Sequence, residues 1–191
     1  MHPAPLRPTH AVALAGLLLV TVATLHLMGQ PWRCDLGDLS IWSGGAASPH
    51  TSQHFADPYT FTHLLHGLIL YAAIWALLRG RLEAGARFVL AMALEVAWEL
   101  FENTDFVIER YRDATISLNY YGDSIVNVLG DLVACALGYG TAMLLPLWGS
   151  AAVFLGLEAL LALWIRDNLL LNVVMLIYPS EAIRAWQMGG G

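Results

Sequence analysis

Hydrophobic residues fall along this chain in runs long enough to cross a lipid bilayer, separated by short stretches where Gly, Pro, Asp and Arg collect. About 20 apolar residues in a helix span the roughly 30 Å hydrocarbon core, and five runs approach that length. The first covers Ala11–Met28, behind a proline-rich leader, Met1–His10, that carries Arg7. Its length, and the lack of a clear A-x-A cleavage site, favour a retained helix over a signal peptide. The second runs from about Pro58 to Leu78. It opens on Asp57-Pro58, where the carboxylate can accept from free helix N–H groups and Pro is preset for the first helical position. The third covers about Ala86–Asn103, the fourth about Asp123–Leu145 before Pro146, and the fifth about Ser150–Ile165.

The connecting segments have their own signals. Gln30–Asp57 reads as a loop with Trp32 and Trp42 as interfacial anchors. Thr104–Gly122 reads as an irregular or interfacial segment with Tyr111, Tyr120 and Tyr121, and P-L-W-G-S as a short turn. Arg166–Gln187 is apolar but broken by Asn168, Asn172 and Pro179, which predicts a surface-lying or re-entrant segment; Gly189–Gly191 reads as a frayed end. The pattern therefore predicts an all-α, polytopic transmembrane helix bundle of about five spans, forming a single integral membrane domain over residues 1–191.

Composition sharpens that picture. The chain is 58% hydrophobic and 13% charged, with a mean hydropathy of +0.59, whereas soluble domains carry about 25% charged residues. All nine basic residues are arginine and the formal net charge is −6. No basic run could neutralise phosphates, so nucleic acid is excluded as a partner and membrane lipid is expected instead. Cys34 in a loop and Cys135 inside a span read as unpaired. Three arginines in Arg79–Arg87 place that connection on the cytoplasmic side of the membrane and Gln30–Asp57 on the opposite, outer side.

Against this apolar background, Glu95–Asp131 holds eight of the 15 acidic residues. With a rise of about 1.5 Å per residue, His63 and His66 lie about 8 and 12 Å down the second helix, Glu99 and Glu95 about 6 and 12 Å down the third, and Asn127 and Asp131 about 6 and 12 Å down the fourth. His63 and His66 share a face; so do Glu95, Glu99 and Glu102, and Asp123, Asn127 and Asp131. Polar groups at membrane depth turn inward, so the three faces are expected to meet. Each buried acid opposes insertion by roughly 2.5 to 3.5 kcal/mol, about 10 kcal/mol for three or four, so something must neutralise them. Protonation, pairing with Arg87, Arg110, Arg112 or Arg166, and a bound metal ion are the available routes.

Three readings stay open: interhelical pairs that lock the bundle, a metal or catalytic site, and a proton or ion path. In the metal reading His63, His66, Glu99 and Glu102 hold a divalent ion such as Zn, Fe or Mn, and Glu95 or Asp131 accepts a proton. His54, Asp105, Asp123 and Asn127 are further pocket candidates. The Glu-x-x-His pair of di-metal carboxylate bundles is absent. Trp75, Trp98 and Phe101 read as packing or lipid-facing residues, Glu158 as an interhelical hydrogen-bonding group, and Asp167-Asn168 as a helix cap.

The stretches S-Q-H-F-A-D-P-Y-T-F-T-H-L-L-H-G, E-V-A-W-E-L-F-E-N-T-D-F-V-I-E-R-Y-R, G-D-S-I-V-N-V-L-G-D and R-D-N-L-L-L-N-V-V-M-L-I-Y-P together resemble an uncharacterised family of alphaproteobacterial inner-membrane proteins. The H-x-x-H-G and N-x-x-G-D helices are also loosely similar to VanZ-like small membrane proteins. The family resemblance implies a multi-pass inner-membrane location and no activity. The residues themselves point to a periplasm-facing His/carboxylate pocket. The chemistry expected there is metal-dependent, such as hydrolysis of a lipid or lipid-linked substrate. The alternative is a non-catalytic assembly factor or a small ion-coupled transporter.

Overall fold

A computed structural model of the chain describes residues 6–45, 48–115 and 120–189. The described residues form eight helices: α1 Pro8–Met28, α2 Thr60–Leu78, α3 Ala84–Glu102, α4 Asp105–Ala114, α5 Ile125–Leu144, α6 Leu147–Trp164, α7 Leu169–Ile177 and α8 Glu181–Gln187. The expected all-α bundle is borne out. Four helices, α1, α2, α5 and α6, are long and apolar enough to cross a membrane. With 19 residues, α3 matches α2 in length and packs against α1, α2 and α5. Its extra charge, Arg87, Glu95, Glu99 and Glu102, sets it apart from the other four. Leu19, Leu27, Leu163 and Trp148 are 72%, 86%, 86% and 77% exposed. Contiguous apolar surface of this kind is unfavourable in water and favourable against lipid chains.

The centre of the bundle is the contact between α2 and α5, and small residues make it close. A Cβ added to Gly67 would collide with the Cys135 carbonyl oxygen, and one added to Gly138 with that of Leu64. In lipid, where apolar burial gives little net drive between helices, such backbone approach supplies the packing energy. On either side of this contact, Leu65 and Leu68 of α2 pack with Ala142 of α5 and Leu169 of α7, while Val128, Leu132 and Cys135 of α5 pack with Leu25 of α1 and Met92 and Val96 of α3. Toward its N-terminal end α5 also receives the long loop, because a Cβ on Gly130 would strike the Phe55 carbonyl oxygen.

The two ends of the bundle differ. At one end Arg7 and His10 meet Glu83 at 2.8 and 3.2 Å, tying the start of α1 to the α2–α3 connection. At the other end the chain is knitted by polar bonds. Asn103 Nδ2 donates to Asp123 Oδ2 at 2.8 Å, the Ser124 N–H to the Ser52 carbonyl at 2.9 Å, and the Tyr59 hydroxyl to Asp167 Oδ2 at 3.0 Å.

Several expected boundaries shift for identifiable reasons. α2 starts at Thr60, because Asp57 spends its carboxylate on a turn, accepting from the Tyr59 and Ser52 N–H groups at 2.7 Å each. Pro146 is followed directly by α6, since its φ of −66° and ψ of 160° already suit the residue before a helix. Thr104–Gly122 is not irregular throughout: α4 occupies Asp105–Ala114 and buries Val107 and Ile108. Asp105 in its first turn and Arg112 in its last complement the helix dipole. Residues 116–119 of that stretch lie outside the described residues. The expected surface or re-entrant segment consists of α7 and α8, nine and seven residues long, with α7 lying on α4. Asn168 caps α7 by accepting from the Leu171 N–H at 2.8 Å. Glu158 accepts from the Leu169 and Leu170 N–H groups at 3.0 and 3.1 Å, an interhelical bond of the expected kind. Cys34 and Cys135 are free. Gly189 closes α8, and the two glycines after it lie outside the described residues.

The α2–α5 contact can be tested directly. Gly67→Leu and Gly138→Leu should each destabilise the detergent-solubilised protein by at least the roughly 1–3 kcal/mol of overpacking, because backbone rather than a flexible side chain stands in the way. Gly156→Leu, where nothing lies within 4 Å, should be close to neutral. Thermal unfolding measured side by side decides; equal tolerance of all three would contradict the close packing.

Candidate metal centre

Helical geometry brings the three polar faces together. His63 and His66, one turn apart on α2, both reach Glu95 on α3: His63 Nδ1 lies 2.8 Å from Glu95 Oε1, and His66 Nδ1 lies 3.0 and 3.1 Å from its two oxygens. The imidazole centroids are 4.9 Å apart. His63 Nδ1 also stands 3.0 Å from Glu99 Oε1, and its Nε2 4.0 Å from Asp131 Oδ2 on α5. One Nδ1 proton serves one oxygen in line, so both Glu99 oxygens are left without a hydrogen bond, as are Asp131 Oδ1 and Glu102 Oε2.

Donor atoms from His63, His66 and Glu95 lie within 4.8 Å of one another. The same holds for His63, Glu99 and Asp131, and for Glu99, Glu102 and Asp123. These overlapping triads make one continuous group of two imidazoles and five carboxylates. Glu95, Glu99 and Asp131 are 2%, 0% and 4% exposed. Among the described residues no arginine pairs with the cluster: Arg110 donates to the Leu176 carbonyl, Arg166 to that of Trp186, and Arg112 lies over the Tyr121 ring. Arg87 sits at the opposite end of α3, with Nε and Nη1 unpaired. The arginine route to neutralising the acids is therefore closed in this structure.

A cavity of about 150 Å³ adjoins the cluster. His63, His66, Glu102, Asp123 and Asp131 give it a polar side, and Leu169, Val173 and Leu176 of α7 an apolar one. Thr51 and Ser52 of the long loop and Tyr59, Tyr111 and Tyr120 also line it. Burial, then the neighbouring Glu102 and Asp123 carboxylates, raises Tyr111 and Tyr120 well above the usual phenol range, so both stay O–H donors. Tyr120 donates to Asp123 Oδ1 at 3.1 Å. Burial also raises Asp123, opposed by its bonds from Asn103 and other donors. Behind Tyr59, burial holds Asp167 up at about 6.

The structure gathers some of the sequence candidates and scatters others. His63, His66, Glu95, Glu99, Glu102, Asp123 and Asp131 share the cluster. Asn127 does not join it, because its Nδ2 donates to the His54 carbonyl at 2.7 Å and so anchors the loop. His54 belongs to a separate group with Cys34 and His50. Asp105 is exposed in the first turn of α4, where the helix dipole favours it. Trp98, expected to pack or face lipid, lines the cavity edge-on to His66 with centroids 6.0 Å apart. Trp75 and Phe101 are 41% and 48% exposed, Trp75 beneath the Arg79 guanidinium and Phe101 against Trp98. Tyr111, Tyr120 and the α7 wall carry no spacing signal in the sequence that ties them to the histidines.

Fold and site together define a polytopic helical membrane protein with a buried histidine/carboxylate cluster. The chain belongs to the family described as protein of unknown function DUF2585, whose model matches residues 25–189. It is 47% identical over 175 residues to a UPF0314 protein of Paracoccus denitrificans, covering 91% of this chain and 90% of the relative. A UPF0314 protein of Rhizobium meliloti is 44% identical over 178 residues, covering 93% and 90%, and one of Brucella anthropi 40% over 179 residues, covering 94% and 90%. No solved structure matches the chain.

Proposed function

We propose that this protein is a metal-dependent membrane enzyme of the inner membrane, hydrolysing a lipid or lipid-linked substrate in the cavity beside His63. The observation that carries this reading is Glu99, fully buried with both carboxylate oxygens unbonded and 3.0 Å from the His63 ring. The three acids that hydrogen bonds leave unsatisfied, Glu99, Glu102 and Asp131, would oppose insertion by about 10 kcal/mol on insertion scales, comparable to the whole stability of a typical domain at about 5–15 kcal/mol. A divalent cation offsets that cost, and two imidazoles with carboxylates suit Zn, Fe or Mn. A bound ion of this kind would acidify a water and polarise an ester or phosphoester oxygen.

The chain's own groups have distinct parts. His63, His66, Glu99 and Glu102 supply ligand atoms, while Glu95 fixes both rings through their Nδ1 atoms. Asp131, with Oδ1 free of partners, would accept the proton from the attacking water and return it to the alkoxide released as the scissile bond breaks. The mixed cavity walls suit an amphiphile, with acyl chain against Leu169, Val173 and Leu176 and headgroup toward the acids. Ion-coupled transport is the second reading, supported by the unbroken line of groups from His66 to Asp123. That line stops short of the far end, where Ile74, Ala91 and Tyr139 with Leu90 and Phe88 close the packing. Enzymatic use of a one-ended cavity is the better supported reading.

The test is metal content alongside thermal stability in detergent. Glu99→Gln and His63→Ala should each lose the ion of this cluster while staying inserted and folded, since an amide is a far poorer ligand than a carboxylate. A purely structural Glu99 would instead cost only about 1–3 kcal/mol on amidation and change no metal content. Wild-type protein that holds no ion here and cannot be loaded would overturn the reading. The cavity is proposed to face the periplasm, with Arg79, Arg81 and Arg87 inside. In whole cells an impermeant thiol reagent should label a cysteine placed at Ser48 and not one placed at Gly80; the reverse pattern would put the cavity on the cytoplasmic side.

A further inference from the structure

The long loop that walls the cavity carries a second group of metal-ligating side chains, away from the central cluster. One donor atom from each of Cys34, His50 and His54 lies within 4.8 Å of the other two. Cys34 Sγ is 3.3 Å from His50 Nδ1. Two ligands at about 2.3 and 2.0 Å from one tetrahedral ion stand roughly 3.5 Å apart, so this pair is already spaced for a shared ion. Cys34 and His54 are 3% and 2% exposed.

The arrangement of His54 is the decisive observation. Its Nδ1 lies 2.6 Å from the Ser40 carbonyl oxygen, which can only accept, so Nδ1 carries the proton and donates it. In the neutral ring Nε2 is then a bare lone pair, and it is buried without a hydrogen-bond partner. The nearest charged group is Asp38 Oδ2 at 3.8 Å, itself an acceptor. Two acceptors facing each other across that gap, with a thiol and a second imidazole beside them, are explained by a cation between them. A ring held by one nitrogen on a backbone carbonyl while the other points at the ion is also the common second-shell arrangement of metal-bound histidine.

We infer that Cys34, His50 and His54 form a structural zinc site, with the half-exposed Asp38 carboxylate as the fourth ligand. Its place in the fold gives it a purpose. His50 and His54 bracket Thr51 and Ser52, which line the cavity. Around the site the loop is fixed on α5 by the Asn127 bond to the His54 carbonyl and by the Ser124 N–H on Ser52. An ion held by residues 16 and four positions apart would close the remaining length of loop and hold this wall of the cavity in place. Cys34 is neither exposed nor among the cavity-lining residues, so a nucleophilic thiol on His50 is the weaker explanation.

Cobalt(II) loading of the full-length protein in detergent tests this, because a thiolate-to-cobalt charge-transfer band reports a sulfur ligand, and once Cys135, which lies beside Glu95, is replaced only Cys34 can supply one. In a Cys135→Ala background the band should appear, survive His63→Ala, and vanish in Cys34→Ser. Zinc should compete it away. Outer-shell losses alone weaken metal binding by about 10–100-fold, so Cys34→Ser should weaken zinc binding at this site by at least that much. Should Cys34→Ser fail to fold, alkylation of Cys34 in the unaltered chain gives the same answer, slowing on zinc addition and recovering on chelation. Absence of the band in cobalt-loaded protein, its persistence in Cys34→Ser, or alkylation indifferent to zinc would each overturn the assignment. Wild-type protein that shows this band yet holds no ion in the central cluster and cannot be loaded there would overturn only the enzymatic reading.

Discussion

Backbone contact between α2 and α5 is the constraint on which the rest of the molecule depends. Gly67 and Gly138 let the two helices meet without intervening side chains, and Gly130 admits the Phe55 carbonyl of the loop by the same means. Close approach of two backbones fixes their rotation, because a helix turned by one residue would present Leu68 or Tyr139 to the seam instead. That rotation directs His63 and His66 toward α3 and Asp131 toward His63. The site is thus a consequence of glycine packing beside and below it, since Gly67 directly follows His66 and Gly138 lies about two turns beyond Asp131.

Once the faces meet, electrostatics becomes the larger problem. Hydrogen bonds satisfy Glu95 through two imidazoles and Asp123 through Asn103 and Tyr120. They leave Glu99 and much of Asp131 and Glu102 unsatisfied. A bundle needing only interhelical locks would gain from replacing these groups with apolar ones, since buried ion pairs seldom outperform well-packed hydrophobic residues. A cluster with orphaned oxygens beside a cavity fits better with a ligand that brings positive charge. The loop group of Cys34, His50 and His54 repeats the theme in miniature, where an unmatched acceptor points at other acceptors.

Much of this was legible in the sequence, and the reasons are specific. Span-length apolar runs located α1, α2, α5 and α6, and the charges within α3 did not hide it. Matching depths of His63, His66, Glu95, Glu99 and Asp131 anticipated their meeting, because helical rise converts sequence position into depth. Depth says nothing about rotation beyond one face, which is why Asn127, level with Glu99, turned out to hold the loop instead. α4 was missed because its apolar residues are few and its flanks polar, so its burial comes from tertiary contact. Tyr111 and the α7 wall reach the cavity through the tertiary placement of α4 and α7, which no periodicity encodes, whereas Trp98, three residues after Glu95 and four before Glu102, lies on the face of α3 that the spacing does mark. His50 and Cys34 lie 16 residues apart in a Gly- and Ser-rich loop, a spacing without a recognised ligand pattern.

The central claim is that positive charge from a bound ion completes the His/carboxylate cluster. Anomalous diffraction at the zinc edge, from crystals of zinc-loaded protein, tests it most directly. The account predicts a peak about 2.0–2.2 Å from an imidazole nitrogen of His63 or His66 and from a carboxylate oxygen of Glu99 or Glu102. No peak there, with Glu99 instead hydrogen-bonded to a neighbouring helix or turned toward lipid, would contradict it.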